Sequence, residues 1–186
     1  MKNKKNIFLL TILLIFFSQS LISADIFNFE TSEIQILDNG NTIKSENGGK
    51  VLTEDNMEIN ADEFEYNKGK SSLEANGNIK LIDKNNQLII NAEKIFYLKN
   101  QEKIFIDSKM NAVFEDKYYM SSEKVVYDRK KKKISSEKKT KFSDNDGNNF
   151  SFEKFKYNNL KKSIRGKEIF YIDKQNDLYN FKDAII

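Results

Sequence analysis

The side chains that could do chemistry in this sequence are carboxylates, hydroxyls and amines, because it contains no His and no Cys. Without imidazole or thiol there is no Ser-His-Asp triad, no thiolate nucleophile, no His- or Cys-bound metal, no disulfide and no lipoprotein anchor on Cys. Carboxylates are the remaining acid–base candidates, since two of them suffice for glycoside hydrolysis. Asp62, Glu93, Glu123 and Glu153 stand out, but they occupy one position of a repeat. An acid that recurs with the architecture reads as a structural device, not as a unique proton donor. Asp144, Asp146 and Asn148 have the spacing of the first ligands of a calcium loop, yet its twelfth position holds Phe155 where a bidentate Glu belongs. The run Arg129-Lys-Lys-Lys-Lys133 carries charge without interleaved aromatics for stacking bases. It reads first as a solvated hairpin tip, second as a contact for anionic lipid headgroups, and not as a nucleic-acid site. These residues point to a chain that is not an enzyme and uses no metal or cofactor.

The elements that position these residues follow from a period near 30 residues. Four segments align without gaps: Ile59-Asn-Ala-Asp-Glu-Phe-Glu-Tyr66, Ile90-Asn-Ala-Glu-Lys-Ile-Phe-Tyr97, Met120-Ser-Ser-Glu-Lys-Val-Val-Tyr127 and Phe150-Ser-Phe-Glu-Lys-Phe-Lys-Tyr157. Seven residues after each Tyr comes an aliphatic: Leu73, Ile104, Ile134 and Ile164. A fainter first copy runs from Phe29 through Ile36 to Ile43, and a last one starts near Leu178. Within each copy apolar and polar residues alternate, which predicts strands with one buried face. The alternation changes parity at Asp62, Glu93, Glu123 and Glu153, which predicts a bulge or corner there. Asn, Asp and Gly cluster where strands must end, as in Asp38-Asn-Gly-Asn41, Asn67-Lys-Gly-Lys70, Asp83-Lys-Asn-Asn86, Asp144-Asn-Asp-Gly-Asn148 and Asp173-Lys-Gln-Asn-Asp177. Turns at that spacing give two strands per repeat and about ten in all. The pattern alone is equally compatible with a solenoid.

The N-terminus has the three parts of a secretory signal. Lys2, Lys4 and Lys5 precede the apolar stretch Ile7 to Phe17, and Ser18 to Ser23 lead to Ala24. The expected organisation is a signal peptide over 1–24 and a single domain over 25–186. The apolar stretch is shorter than the ~20 residues of a spanning helix. The formal charge of +3 comes from the signal lysines, leaving 28 basic and 28 acidic residues. They are unevenly placed: residues 25–109 hold 10 basic and 16 acidic side chains, residues 110–186 hold 18 and 12. Such a dipole could favour head-to-tail contact between copies.

The motif of apolar-x-Ala/Ser-Asp/Glu-x-apolar-x-Tyr, a turn, then aliphatic-x-Ala/Ser-x-Gly resembles the OstA-like family. Its best copy runs from Ile59 through Tyr66 and Leu73-Glu-Ala-Asn-Gly-Asn-Ile79. The family includes the periplasmic bridge protein LptA and the N-terminal domain of the outer-membrane translocon LptD. Phe27-Asn-Phe-Glu-Thr-Ser-Glu-Ile-Gln-Ile36 looks like the start of LptD chains. The resemblance covers roughly residues 27–186. It implies an all-β fold, a β-jelly roll of stacked antiparallel strands. It also implies a periplasmic or outer-membrane-associated location, lipopolysaccharide as ligand, and edge-strand pairing with other OstA-like transport proteins.

The inward-facing set is Ile59, Phe64, Tyr66, Leu73, Ile90, Ile95, Tyr97, Ile104, Met120, Val125, Tyr127, Ile134, Phe152, Phe155, Tyr157 and Ile164. Read by themselves these residues are ordinary core. By the resemblance they line a trough for acyl chains. The repeat tyrosines read as structural, ring inside and hydroxyl near the rim, with contact to sugar or phosphate as the other reading.

Overall fold

The computed structural model describes residues 27–185, so the expected signal over 1–24 lies outside the described residues. The alternating segments form one antiparallel sheet of fifteen strands. In chain order these are β1 (Phe27–Glu30), β2 (Gln35–Leu37), β3 (Thr42–Ser45), β4 (Gly49–Thr53), β5 (Met57–Ala61), β6 (Glu63–Asn67), β7 (Ser72–Asp83) and β8 (Leu88–Leu98). They continue as β9 (Lys103–Phe114), β10 (Tyr118–Asp128), β11 (Lys133–Ser136), β12 (Thr140–Asp144), β13 (Asn149–Asn158), β14 (Ser163–Ile172) and β15 (Leu178–Ile185).

The sheet is a meander of bent legs. Some legs break outright at the bend, β5 from β6 at Asp62 and β11 from β12 at residues 137–139. The longer legs stay continuous but slip register at the same height. The slip falls between Asn76 and Ile79, between Ala92 and Phe96, and between Glu123 and Val125. Pairing of β13 with β14 skips Glu153 and Glu168. A column of bulges therefore crosses the sheet and folds it in two. Layer A holds β1, β4, β5, β12 and the matching halves of the long strands. Layer B holds β2, β3, β6, β11 and the other halves. All pairs are antiparallel, so the repeat builds a jelly roll and not a solenoid. The strand count exceeds the expected ten because the corners split some legs.

The repeating acid and its neighbours explain the corners. At a bulge the ladder releases backbone groups that need other partners. Asp62 donates its N–H to the carbonyls of Asn76 and Gly77 (3.2 and 3.1 Å), and its carboxylate accepts from Asn78 Nδ2 (2.7 Å). Ser108 Oγ accepts from the N–H groups of Glu93 and Lys94, and Ser136 Oγ donates to the Glu123 carbonyl (2.7 Å). Ser122 and Thr140 share a hydrogen bond of 2.8 Å inside the fold. Gly77 sits at φ +74°, and a Cβ there would run into the Asp62 carboxylate.

The core fills the space between the layers. Phe27 of layer A packs edge-on to Tyr66 of layer B at 4.9 Å, and Phe114 of layer A meets Tyr157 of layer B at 5.1 Å. Gly77→Ala combines a left-handed backbone with a clash at Asp62. It is expected to lower the unfolding free energy by ~1–3 kcal/mol, read from urea denaturation, whereas Gly69→Ala in an exposed turn changes it little.

Candidate functional site: the apolar interior and its seam

Period-two alternation in both layers points one apolar row of each leg inward. Every member of the expected inward set, from Ile59 and Phe64 to Tyr157 and Ile164, is buried. They form one cluster with Val51, Met57, Ile79, Leu81, Ile106, Met110, Phe114 and Ile169. These additional members follow from the same alternation carried to the strand ends, beyond the quoted motif. Between residues 57 and 157 the layers are packed against each other.

The layers meet again where the hairpin tips come together, along a seam opposite the corners. Layer-B tips stack through their backbones: Lys68, Lys99, Arg129 and Asn159 donate their N–H to the carbonyls of Asn41, Ser71, Glu102 and Lys132 at 2.8–2.9 Å. These tips are mostly basic, and the layer-A tips that face them carry Asp55, Glu115 and Asp116. Arg129 is the centre of the seam. It is only 6% exposed, and contrary to the expectation for its basic run it is not part of a solvated tip. Its Nε meets Asp83 at 3.0 Å, and its Nη1 meets Asp55 at 2.8 Å and Glu102 at 2.6 Å. Asp83 is 0% exposed and also accepts the Tyr127 hydroxyl at 2.7 Å. Tyr97 donates to Glu102 at 2.9 Å and accepts from Arg129 at 3.0 Å. Further along, Lys162 pairs with Glu115, and Asn159 donates to the Asn86 carbonyl at 3.3 Å. The hydroxyls of Tyr97 and Tyr127 are therefore engaged within the protein, which matches their structural reading.

The electrostatics follow from this burial. Burial works against the Arg129 cation, but Tyr97, Asp83 and Asp55 around it raise its pKa above the ordinary guanidinium value. Burial also works against Asp55, and hydrogen bonds from Thr53 and Arg129 outweigh it, holding that carboxyl below the usual range. Burial, then Asp83, pushes the Tyr127 phenol well up; burial and Glu102 do the same for Tyr97. With Arg129 Nε and Nη1 engaged by three carboxylates, the arrangement holds the two layers together. Asp144 likewise spends its carboxylate on the N–H groups of Asp146 and Asn148 (2.9 and 3.0 Å), closing its own turn.

The interior is not covered everywhere. Beyond β13 the second layer continues in β14 and β15 but thins, setting only Ile164, Gly166 and Ala184 towards the aromatic side chains of layer A. Phe152, Phe150, Tyr171 and Tyr179 form a stacked row, with centroid separations of 6.1, 4.4 and 5.5 Å and interplanar angles of 10°, 11° and 24°. The row begins fully buried at Phe152 and ends at Tyr179, which is 42% exposed, beside Phe181 at 44%. Only Phe152 of this row belongs to the expected set. Phe150 is visible as the first residue of its repeat copy, but nothing in the local pattern shows that the row of Tyr171 and Tyr179, with Phe181, is only partly covered.

No protein-family model and no curated protein matches the chain. Its structure is similar to the crystal structure of LptH from Pseudomonas aeruginosa, described as the LptA-homologous periplasmic component of the conserved lipopolysaccharide transport device. The TM-score is 0.52 at 13% identity, over 61% of this chain and 83% of that one. The two share the jelly-roll fold.

Arg129→Met strands Asp83 in the interior and is expected to cost ~3–5 kcal/mol in urea unfolding, with part recovered when Asp83→Leu is added. Because the Asp55 pKa is depressed, its contribution is present above its unfolded value near ~3.9 and is lost as pH falls through the lower folded value. The raised phenols work the other way. Tyr97 and Tyr127 contribute below their unfolded pKa of ~10 and resist ionisation above it. Alkaline titration followed by ultraviolet absorbance should show that the Tyr97 and Tyr127 phenols ionise only with unfolding, so that their absorbance change coincides with loss of structure. In Arg129→Met, acid unfolding should begin at higher pH.

Proposed function

We propose that this chain is a non-enzymatic module that shelters the acyl chains of lipopolysaccharide during transport across the periplasm. One observation carries the reading: at its C-terminal end the apolar interior runs into the aromatic row Phe150, Tyr171, Tyr179, where the opposite layer offers only small or short side chains and the row becomes exposed at Tyr179. A chain of a dozen methylenes needs on the order of 10 kcal/mol of shelter from water, at ~0.8 kcal/mol each. An exposed inner face supplies the first part of that shelter. Further entry would displace side chains of the inward set, from Ile164, Tyr157 and Phe155 back towards Ile95 and Phe64. Mixed Phe, Met and Ile side chains re-pack readily. The shared fold with a periplasmic component of a lipopolysaccharide transport device supports the reading.

The same end supplies the partner contact. β15 is an edge strand, paired on one side only, and carries exposed Leu178 and Ile185; exposed Ile36 and Leu37 mark β2 as the edge of layer B at the other end. Exposed apolar edges are templates for another sheet. In this reading they join the chain to other OstA-like transport proteins, or to further copies, after export directed by residues 1–24. The opening segment Phe27 to Ile36 favours the N-terminal domain of an LptD-type chain within that family.

A second reading has its own support: the tight packing of residues 57–157 suits an assembly module that pairs by its edges and binds no lipid. Photo-crosslinking amino acids at Tyr179, Phe181, Phe64 and Ile95 separate the two. Carriage predicts lipopolysaccharide adducts in cells, strongest at Tyr179 and Phe181 and weaker inward at Ile95 and Phe64. Folded protein that forms concentration-dependent oligomers but no adduct at any of these positions would establish the assembly module instead.

A further inference from the structure

We propose that the adjoining tips 129–133 and 159–162, with the outer face of layer B beside them, form a docking surface for an anionic lipid bilayer. The tips lie side by side, tied by the hydrogen bond from Asn159 N–H to the Lys132 carbonyl at 2.9 Å. Elsewhere on the outer face of layer B charges are balanced across the strands. Glu65 and Glu74 stand opposite each other, but Lys44 flanks one at 2.9 Å and Lys94 the other at 2.5 Å. Lys154 and Lys167, also opposite, sit between Glu137 and Asp183 in the same manner. The next row breaks the rule. Lys156 stands directly opposite Arg165, and the outer neighbours in that row are Ser135 and Ile185.

Like charges placed opposite each other cost a sheet stability; on the adjacent strands of this row no carboxylate stands, and the nearest ones, Glu137 and Asp183, lie in the neighbouring row beside Lys154 and Lys167. Lys130 and Lys161 in the tips and Lys133, which stands opposite Asp128, add to this patch, and none of these five cations forms a salt bridge among the described residues. Arg129 is excluded because the seam consumes it, and Lys162 because Glu115 does.

The occupant is specified by what stands among these cations. Leu160, at the tip between Asn159 and Lys161, is 67% exposed, and Ile185 beside Arg165 is also exposed. An apolar side chain projecting from a basic tip matches the layering of a membrane surface, phosphate outside and hydrocarbon within. A single bound ion would need donors that converge. These cations are instead spread over neighbouring strands ~4.8 Å apart, the pattern for many headgroups at once. Lys156 and Arg165 point to the outer face, away from the inward set, so docking does not require the interior to hold lipid, although the patch reaches the β15 edge at Ile185.

The test uses the purified protein and vesicles without lipopolysaccharide, of phosphatidylcholine alone or mixed with phosphatidylglycerol at roughly 7:3. Binding by co-sedimentation is expected only to the mixed vesicles. Replacing Lys130, Lys156, Lys161 and Arg165 by Gln should weaken it at least ~10-fold. Replacing Lys80, Lys84, Lys109 and Lys141, which changes net charge equally on other surfaces, should leave it within about twofold. The chain has no Trp, so Leu160→Trp provides a single fluorescent reporter. Its emission should shift to the blue on mixed vesicles and not on neutral ones. The proposal is overturned if both sets of substitutions weaken binding alike, if neutral vesicles bind equally, or if the reporter indole stays in water while the protein sediments. It is also overturned if millimolar inorganic phosphate abolishes binding at constant ionic strength, because the site would then be one for a small ion.

Discussion

A sheet with one apolar face is unstable in water until something covers that face, and this chain covers it with itself. Each leg bends at the same height, so the stacked bends form a column and the two halves of every leg face each other. The bend depends on backbone groups that leave the ladder and find Ser108, Ser136 and Thr140 as partners, with Asn78 bonded to the Asp62 carboxylate and Ser122 to Thr140. Burial of these hydroxyls inside an apolar sandwich would be costly if they were unpaired. Paired with the corner carbonyls and with each other, they fix where the fold turns. The position of every inward side chain, and so the shape of the interior, depends on that column.

Bending brings the hairpin tips of the two layers together on the far side, and there the chemistry is ionic. Arg129 holds Asp55, Asp83 and Glu102 in one cluster, with Tyr97 and Tyr127 hydroxyls completing it. A buried ion pair contributes less net stability than its Coulomb energy implies, because both partners lose water. The cluster ties tips that are distant in sequence, Asp55 and Asp83 of layer A to Glu102 and Arg129 of layer B, and so closes the side of the sandwich opposite the bends.

Closure along the seam contrasts with the C-terminal end. There the second layer thins to Ile164, Gly166 and Ala184, and the stacked aromatic row passes from buried at Phe152 to exposed at Tyr179. In the proposed reading this end is where an acyl chain or the sheet of a neighbouring protein arrives. The exposed edge of β15 and the exposed rings of Tyr179 and Phe181 lie at that same end, so lipid contact and partner contact would be coupled by position.

Much of this was legible in the residue order because it is local. Alternation marks strand faces, Asn-Asp-Gly clusters mark turns, and the parity changes at Asp62, Glu93, Glu123 and Glu153 mark corners within a few residues of where they occur. The inward set follows from the same period of two. Tertiary structure alone decided which tips would meet. Asp83 and Arg129 are 46 residues apart, and each looks like an ordinary polar turn residue until the fold sets them face to face. The sequence of the last repeat looks like the others, so its alternation could not tell that Tyr171, Tyr179 and Phe181 lie where the opposite layer is thin. Burial is a property of what lies across the sandwich, and a pattern along one strand carries no record of the strand opposite.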